Sequence, residues 1–269
     1  MRQYEKTIIR CLRRVGLDLA RWPRRPDDWV IDWSMRQVLH ALDINCVLDV
    51  GANRGQFGQQ IRALGYTGRI VSFEPSPNAL PTLNKVAARD ESWQVRPVGL
   101  SREAGVAQLN LHVAAEFDSL HTARPEYTTQ ESSSHLHDFR KIDTATVTLS
   151  TLAVEFPDAI AGISDPRVLL KSDTQGHELE VLAGAKSLPP EVGAVFMELS
   201  AQAIYEEQPS MTRVMDVLFA EGFSPVAFQP VSRSPDKLRV IELDGLFMRP
   251  ITIGANNPIS AASFTVNRP

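Results

Sequence analysis

Residues 46–57 read Cys-Val-Leu-Asp-Val-Gly-Ala-Asn-Arg-Gly-Gln-Phe, and this stretch sets the expected architecture. Its first five residues have the length and the β-branched content of a buried strand. After a turn that contains two glycines, Phe57, Ile61 and Leu64 recur at helical spacing, and Gly65 is a suitable helix end. A strand followed by a short turn and a helix begins a right-handed βαβ unit.

Short apolar runs and helical patterns then alternate along the chain. The patterns predict strands over 69–73, 93–98, 106–113, 146–149, 168–172 and 192–199. They also predict a helix that begins at residue 76 and two further helices over 176–188 and 209–221. Two final strands, over 224–231 and 238–248, have no helix between them and are therefore expected to pair antiparallel. The order predicts one α/β domain with a mostly parallel sheet and a terminal antiparallel hairpin.

Length and composition exclude several classes of protein. The chain has 269 residues, of which 43% are apolar and 22% charged, which is unlike a collagen-like or a disordered protein. No stretch approaches the roughly 20 apolar residues that span a bilayer, and the first segment lacks the separate apolar region of a secretory signal. Cys11 and Cys46 are too few for a disulfide framework, so we expect a reducing, cytoplasmic compartment.

Charge is distributed unevenly along the chain. Residues 1–25 contain eight basic and two acidic residues, a net charge of +6, whereas the remaining residues carry −10. We predict a basic N-terminal helical arm over 1–44, a ligand-binding domain over 45–250 and a C-terminal tail over 251–269. Because the body is acidic, nucleic acid is not an expected partner.

The arm allows two interpretations. Ile8, Leu12, Val15 and Leu19 lie on one side of a predicted helix, with basic residues around them. Such a helix suits an anionic membrane surface, which would make the protein peripheral at the inner membrane. The same apolar stripe also suits a helix that packs on the body, or on a second copy of the chain in a homodimer.

The segment 115–143 interrupts the regular pattern. It is polar, contains three consecutive serines at 132–134 and carries His121, His135 and His137. Long irregular segments within compact domains are often binding loops, so we predict a substrate loop or lid here. The histidines do not match the ligand spacing of a zinc site, and metal binding by histidine is therefore not expected.

The ends of the first two predicted strands favour a nucleoside ligand. Ligands of open parallel sheets bind beyond the carboxyl ends of the strands, where Gly51 and Gly55 allow a close approach to the backbone. Asp49, two residues before the first glycine, suits a cationic or amino group better than a pyrophosphate. Glu74 ends the second strand, where a carboxylate can accept both hydroxyls of a ribose.

Three motifs occur together in the body. They are Asp-Val-Gly-Ala-Asn-x-Gly-Gln-Phe at 49–57, Phe-Glu-Pro at 73–75 and Leu-Lys-Ser-Asp-Thr-Gln-Gly-His-Glu-Leu-Glu-Val-Leu-x-Gly-Ala at 170–185. Over residues 46–248 the chain resembles the FkbM-type S-adenosylmethionine-dependent methyltransferases. The resemblance implies the class I, Rossmann-like fold, with a seven-stranded, mostly parallel sheet and a reversed final strand. It also implies O-methylation, often of sugar hydroxyls on macrolides and glycolipids.

Carried over to this chain, the resemblance implies the cofactor contacts Asp49, Gly51, Ala52, Asn53, Gly55, Glu74, Pro75, Leu100 and Ser101. The glycine turn would cradle the methionine part of S-adenosylmethionine, Glu74 would hold the ribose, and the adenine would lie near Gly99. A stretch that resembles the serine-containing segment beside the family's site adds Asp118, Ser119 and His121 as acceptor contacts.

Methyl transfer to a hydroxyl needs alignment of the reacting atoms, and a base or a metal that helps to remove the proton. Asp173 and Glu198 follow neighbouring predicted strands, which lie ~4.8 Å apart, so the two carboxylates can share a proton or a divalent cation. We predict Asp173 as base or metal ligand, Glu198 as substrate or metal contact, and His177 as the rival base. In the alternative interpretation Asp173 caps the next helix, Glu178 lies in its first turn, and His177 only packs.

The sequence thus predicts an S-adenosylmethionine-dependent O-methyltransferase that acts on a sugar of a glycolipid or glycosylated natural product. An NAD-dependent oxidoreductase would share the sheet and the ribose acid. Such an enzyme would need the pattern G-x-G-x-x-G after the first strand. This chain lacks it, because Asn53 and Gln56 stand where the second and third glycines would be. A non-catalytic nucleoside-binding scaffold is a third possibility, and it would bind cofactor without forming product.

Overall fold

The computed structural model describes residues 28–128, 139–234 and 236–250. The strands in these ranges are β1 (Cys46–Val50), β2 (Arg69–Phe73), β3 (Trp93–Arg96), β4 (Gly99–Leu100), β5 (Gly105–His112), β6 (Lys141–Ser150), β7 (Val168–Ser172), β8 (Val192–Ser200), β9 (Ser224–Arg233) and β10 (Val240–Met248). The helices are α1 (Asp28–Ala41), α2 (Gln56–Ala63), α3 (Leu80–Ala87), α4 (Pro125–Thr128), α5 (Leu152–Ile160), α6 (Glu178–Ala183) and α7 (Met211–Ala220).

Seven strands form the main sheet, in the order β3-β2-β1-β7-β8-β10-β9. The first five of these pair in parallel, whereas β10 runs antiparallel to both β8 and β9. The predicted mostly parallel sheet with a terminal antiparallel hairpin is thereby confirmed. Chain order reverses between β1 and β7, and a ligand of an open α/β sheet is expected at this switch point.

A smaller sheet lies beside the main one, in the order β4-β6-β5. Its two long strands pair antiparallel, from Gly105 with Leu149 to His112 with Lys141. Both strands were predicted from the sequence, but their pairing with each other was not. Since β6 begins at Lys141, the end of the predicted loop 115–143 is strand.

Apolar side chains cover both faces of the main sheet. One face carries the cluster that includes Leu48, Leu170 and Met197. The other carries Val47, Leu169 and Phe196, and α1 packs there through Ile31, Met35 and Val38. This helix falls within the predicted arm, yet it belongs to the core of the body. The stripe at residues 8–19 and the tail over 251–269 lie outside the described residues.

Two helices begin later than predicted. Ser76 heads a turn, with the backbone N–H groups of Ala79 and Leu80 donating to its carbonyl oxygen, and α3 starts only at Leu80. Gln175 and Gly176 have φ angles of +53° and +97°, which are incompatible with a right-handed helix, so α6 starts at Glu178. Among the described helices none is long and apolar enough to cross a membrane.

Candidate active site

A cavity of about 480 Å³ opens at the carboxyl ends of β1, β2, β7 and β8. One side of it, here called the turn side, is lined by Gly51, Ala52, Asn53, Glu74, Pro75, Gly99 and Leu100. A second group of lining residues, here called the carboxylate side, comprises Asp173, Gln175, Glu198, Ser232, Glu242 and Asp244. Phe57 of α2 stacks on Phe196 of β8, also in the cavity wall, with ring centroids 5.4 Å apart. The cavity therefore joins a nucleoside-type rim to a cluster of acids.

The glycine turn after β1 has no room for side chains at its first position. Gly51 has a φ angle of +69°, and a Cβ atom there would lie 1.8 Å from the carbonyl oxygen of Asp173. Asn53 also has a positive φ angle, +47°, and its buried Oδ1 has no hydrogen-bond partner among the described residues. Gly55, at φ +85°, caps α2. The turn thus brings backbone and one unsatisfied polar atom to the cavity wall.

Glu74 lies where the sequence analysis placed it, at the end of β2 and in the cavity wall. It is 6% exposed, and its two oxygens accept hydrogen bonds from the backbone N–H groups of Asn53 (2.6 Å) and Ser76 (2.7 Å). Burial raises the pKa of this carboxyl to about 7, against the lowering effect of the two donors. The carboxyl is fixed in place, with lone pairs left for a ligand.

Asp49 occupies a different place from the one expected. It is fully buried beneath the glycine turn, accepts a hydrogen bond from Ser72 Oγ at 3.0 Å and pairs with Lys171 Nζ at 3.1 Å. Lys171 Nζ donates in turn to the carbonyl oxygen of Gly51 at 2.6 Å. In this structure Asp49 is therefore not a wall residue of the cavity; it holds the lysine that supports the turn from below.

Lys171 also lines the cavity and was not among the residues predicted from the sequence. The nearby carboxylates raise its pKa despite complete burial, Asp49 first and Asp173 second. A lysine inside the apolar run Val168–Ser172 was a visible signal, because buried lysines are rare unless paired. Its partner was not visible, since it depends on the register that sets Asp49 beside Lys171.

His177 makes hydrogen bonds with both ring nitrogens. Nε2 lies 2.9 Å from Ser101 Oγ, and Nδ1 lies 3.0 Å from His121 Nε2. Burial, and then the neighbouring His121, lowers the pKa of His177 to about 4. As the rival base it lacks a free nitrogen in this structure. Instead, His177 links the loop before α6 to Ser101 at the end of β4 and to His121 in the segment after β5. Leu100, the residue before Ser101, lines the cavity.

The predicted acceptor segment borders the cavity, but its polar groups are used internally. Asp118 accepts hydrogen bonds from Ser76 Oγ (2.7 Å) and from the N–H of His112 (2.8 Å). Burial raises its pKa. Ser119 donates to the carbonyl oxygen of Gln175 at 2.7 Å. Asp118 and Ser119 line the cavity, whereas His121 contributes through His177.

Asp173 and Glu198 are brought together as predicted, but a third residue stands between them. Gln175 Nε2 donates to Asp173 Oδ1 and to Glu198 Oε2, at 2.9 Å each. In this structure the amide bridges the two carboxyl groups, and the sharing of a proton or cation between them stays a prediction. Asp173 does not cap α6, whose N-cap residue is His177 and which has no side-chain cap hydrogen bond. The N–H groups of Thr174 and Gly176 donate to Glu178. Asp173 remains open to the cavity, with 40% of its side chain exposed.

Two further acids complete the carboxylate side, and sequence analysis did not find them. Antiparallel pairing places Asp244 beside Glu198, and Glu242 beside Ser200. Burial raises the pKa of both β10 carboxyls to about 7, with the charge of Asp173 adding to the effect. Burial likewise raises the pKa of Glu198 well above its ordinary value, followed by Asp173. Among the described residues, no three His, Cys, Asp or Glu side chains form a metal-binding group.

Comparisons with known proteins agree with the motifs. The family model described as "Methyltransferase FkbM domain" matches residues 49–225. The 2-O-methyltransferase NoeI of Sinorhizobium fredii is 23% identical over 179 residues, which are 64% of this chain and 70% of NoeI.

Solved structures show a similar fold at low identity. A methyltransferase FkbM from Methylobacillus flagellatus is 15% identical, with a TM-score of 0.44 over 76% of this chain, and the match spans only 44% of that protein. Fibrillarin from Aeropyrum pernix, crystallised with S-adenosylmethionine, is 12% identical with a TM-score of 0.42, over 82% of this chain and 76% of the other.

Proposed function

Since the chain belongs to the FkbM methyltransferase family, we propose that it transfers the methyl group of S-adenosylmethionine to a hydroxyl group of a sugar. The family membership favours methyl transfer over the hydride transfer that the sequence had left open. The observation that carries the proposal is that one cavity is lined both by Glu74 with the glycine turn and by Asp173 with further acids.

The turn side fits S-adenosylmethionine. Two buried polar atoms in the cavity wall, Asn53 Oδ1 and Ser172 Oγ, have no partner among the described residues, and buried polar atoms without partners indicate a place for a ligand. Asn53 and the turn would hold the methionine part, Glu74 the ribose hydroxyls, and Leu100 with Pro75 the adenine. When bound, the cofactor supplies an electrophilic methyl group on a sulfonium.

The carboxylate side supplies the acceptor chemistry. Asp173 would act as the base, because its side chain is open to the cavity and could take the proton of the sugar hydroxyl. As that oxygen bonds to the methyl carbon, the bond between this carbon and the sulfonium sulfur would break, and S-adenosylhomocysteine would leave with the electron pair. Glu198, Glu242 and Asp244 are hydrogen-bond acceptors that suit the remaining hydroxyls of a sugar ring. The protein thereby fixes the direction of attack, which is its main contribution because the donor is already activated.

Two features indicate which kind of acceptor the protein uses. The relative NoeI is a 2-O-methyltransferase by name, which favours methylation at oxygen. The basic, amphipathic pattern of residues 1–25 suits a lipid surface, which favours a glycolipid over a free sugar. We extend the proposal to an acceptor on a glycolipid or a glycosylated natural product.

The proposal is tested by methylation in vitro. The full chain is incubated with isotopically labelled S-adenosylmethionine and a panel of glycolipids and glycosides, and products are identified by mass spectrometry. We expect one methyl group on a sugar oxygen, and micromolar or tighter binding of S-adenosylhomocysteine without binding of NAD. Binding of S-adenosylhomocysteine with no product from any glycan pool would favour the scaffold alternative.

A further inference from the structure

Gln175 contacts two carboxylates with one amide group. Its Nε2 atom donates to Asp173 Oδ1 and to Glu198 Oε2, each at 2.9 Å. A primary amide has two N–H groups, so both are engaged. The arrangement also fixes the direction of the amide, because the reverse orientation would place its oxygen against two carboxylates.

Tyr205 holds the other end of the amide. Its hydroxyl lies 2.9 Å from Gln175 Oε1 and 3.1 Å from the carbonyl oxygen of Phe117. Tyr205 is fully buried, and two hydrogen bonds from the Ile204 and Tyr205 N–H groups to Gln208 fix its backbone. The hydroxyl has one proton for these two acceptors, and when it donates to Gln175 Oε1, the nearer of them, it favours the amide orientation in which nitrogen faces the acids.

The backbone of Gln175 is also fixed. Its φ angle of +53° lies in the left-handed region, and its carbonyl oxygen accepts a hydrogen bond from the buried Ser119 Oγ at 2.7 Å. Glu178 accepts from the N–H groups on either side, those of Thr174 and Gly176. A strained backbone of this kind persists only where its surroundings hold it.

The ionisable groups around Asp173 show why its side chain needs a hydrogen-bond donor such as Gln175 to stay in place. Lys171 Nζ lies 4.0 Å from Asp173, but it is already committed to Asp49 and to the carbonyl oxygen of Gly51. The other charged groups that face Asp173 are the acids Glu178 of α6, Glu198 of β8, and Glu242 and Asp244 of β10. To the extent that these acids ionise they repel the Asp173 carboxylate, and the Gln175 amide supplies a hydrogen-bond donor that holds it in place.

We propose that Gln175, oriented by Tyr205, is a positioning residue that holds the Asp173 carboxylate where it takes the acceptor proton. This inference rests on the proposed function, because it requires Asp173 to be the base. Gln175 itself does not exchange a proton in the reaction. Its effect is therefore expected on turnover rather than on binding of either substrate.

The first test compares variants by steady-state kinetics and by S-adenosylhomocysteine binding. Gln175→Met keeps the length of the side chain and removes both donors, and we expect kcat to fall by about tenfold to a hundredfold. Both KM and the affinity for S-adenosylhomocysteine should stay within about twofold of wild type. Tyr205→Phe should lower kcat in the same way but less, since the amide loses only its orienting partner.

Matched controls remove equivalent hydrogen bonds elsewhere. Gln108→Met removes the bond from an amide Nε2 to Thr146 Oγ1 on an exposed part of the small sheet. Tyr66→Phe removes a buried tyrosine hydroxyl that donates to the carbonyl oxygen of Arg69. Both should leave kcat unchanged. Equal losses in kcat and in thermal stability for Gln175→Met and the controls would indicate general destabilisation and overturn the inference.

A double-mutant cycle separates this inference from the proposed function. Asp173→Asn should keep cofactor affinity and lose about a hundredfold or more in kcat. If Gln175 acts through Asp173, adding Gln175→Met to that variant should cause no further loss. A further loss, or a wild-type kcat in Gln175→Met alone, overturns the inference and leaves the methyltransferase proposal intact. A wild-type kcat in Asp173→Asn removes Asp173 as base, and the inference with it.

An activity-independent measurement covers the case in which no acceptor is methylated and the proposed function fails. The side-chain amide protons of Gln175 are observed by NMR in the free protein. Slow exchange with water, and resonances that move in both Asp173→Asn and Tyr205→Phe, support the positioning arrangement. Solvent-like exchange and no response to either substitution would show that the amide does not hold Asp173, and would overturn the inference.

Discussion

At the scale of single residues, Glu74 is the side chain on which cofactor affinity is expected to depend most. It is held by two backbone donors and is nearly inaccessible to water, so its position cannot adapt when the carboxylate is changed. Its pKa of about 7 arises chiefly from burial. The ionised fraction of this carboxyl therefore changes within the physiological range of pH.

We predict that Glu74→Gln weakens S-adenosylhomocysteine binding by about tenfold to a hundredfold, the range expected when a charged hydrogen-bond acceptor is lost. In wild type the affinity should increase as pH rises through about 7, because only the ionised carboxylate offers its full charge to the ribose hydroxyls. The variant should lose this dependence. Isothermal titration calorimetry at several pH values is the measurement.

Glu91→Gln is the control for this prediction, because Glu91 is exposed and precedes β3. It should bind S-adenosylhomocysteine like wild type at every pH. An unchanged affinity in Glu74→Gln would mean that the ribose is not held by this carboxyl.

At the scale of elements, β10 lowers the stability of the sheet because it places buried acids beside one another. As the reversed strand it lies beside β8, and this pairing sets Glu242 and Asp244 close to Glu198 and Asp173. Ser232 Oγ of β9 donates to Glu242 at 2.7 Å and offsets part of the cost. Buried acids that repel one another are retained at functional sites at the expense of stability.

We predict that Glu242→Gln stabilises the protein by about 1–3 kcal/mol at pH 8, and by less near pH 5. The carboxyl has a pKa of about 7 in the folded protein, above that of the unfolded chain. The folded state therefore binds this proton more tightly, and the free energy of unfolding falls as pH rises from about 4 to about 7. The amide cannot ionise, and its oxygen can still accept from Ser232.

Urea unfolding at pH 5 and pH 8 measures this difference. Glu91→Gln again serves as an exposed control and should leave the free energy of unfolding within about 0.5 kcal/mol of wild type. If Glu242→Gln were less stable than wild type at pH 8, the neighbours of Glu242 would have to stabilise its ionised carboxylate. This result would contradict the predicted repulsion among the acids.

At the scale of the whole molecule, the basic N-terminal segment and the catalytic body are expected to have separate roles. Helix α1 packs on the sheet through Ile31, Met35 and Val38, so the body already includes residues from 28 onward. The net charge of +6 lies in residues 1–25, before this helix, whereas the remainder is acidic. This separation favours a segment that contacts an anionic surface while the body faces its soluble cofactor.

We predict that deletion of residues 1–25 leaves the thermal midpoint and S-adenosylhomocysteine affinity unchanged, and abolishes co-sedimentation with vesicles that contain anionic lipids. Wild type should bind such vesicles more weakly at high salt, because screening reduces the attraction. Neutral phosphatidylcholine vesicles are the control. Unchanged vesicle binding after the deletion would refute the membrane role, and loss of folding would make the segment part of the body.

Local sequence was sufficient for the α/β class, the mostly parallel sheet and the closing hairpin. It also located Gly51 at the turn and Glu74 at the strand end. These features follow from the apolar period of each segment and from turn chemistry, which act over a few residues. The three motifs at 49–57, 73–75 and 170–185 together revealed the resemblance to the methyltransferases without any knowledge of contacts.

Long-range contacts were needed for the rest of the site. The pairing of Asp49 with Lys171, the acids of β10 beside Glu198, and the amide of Gln175 between two carboxylates all depend on sheet register and loop packing. Residues far apart in the chain form these contacts, and the period of a single strand does not specify its neighbour or its register. The roles of individual polar side chains therefore emerge only once the strands are set side by side.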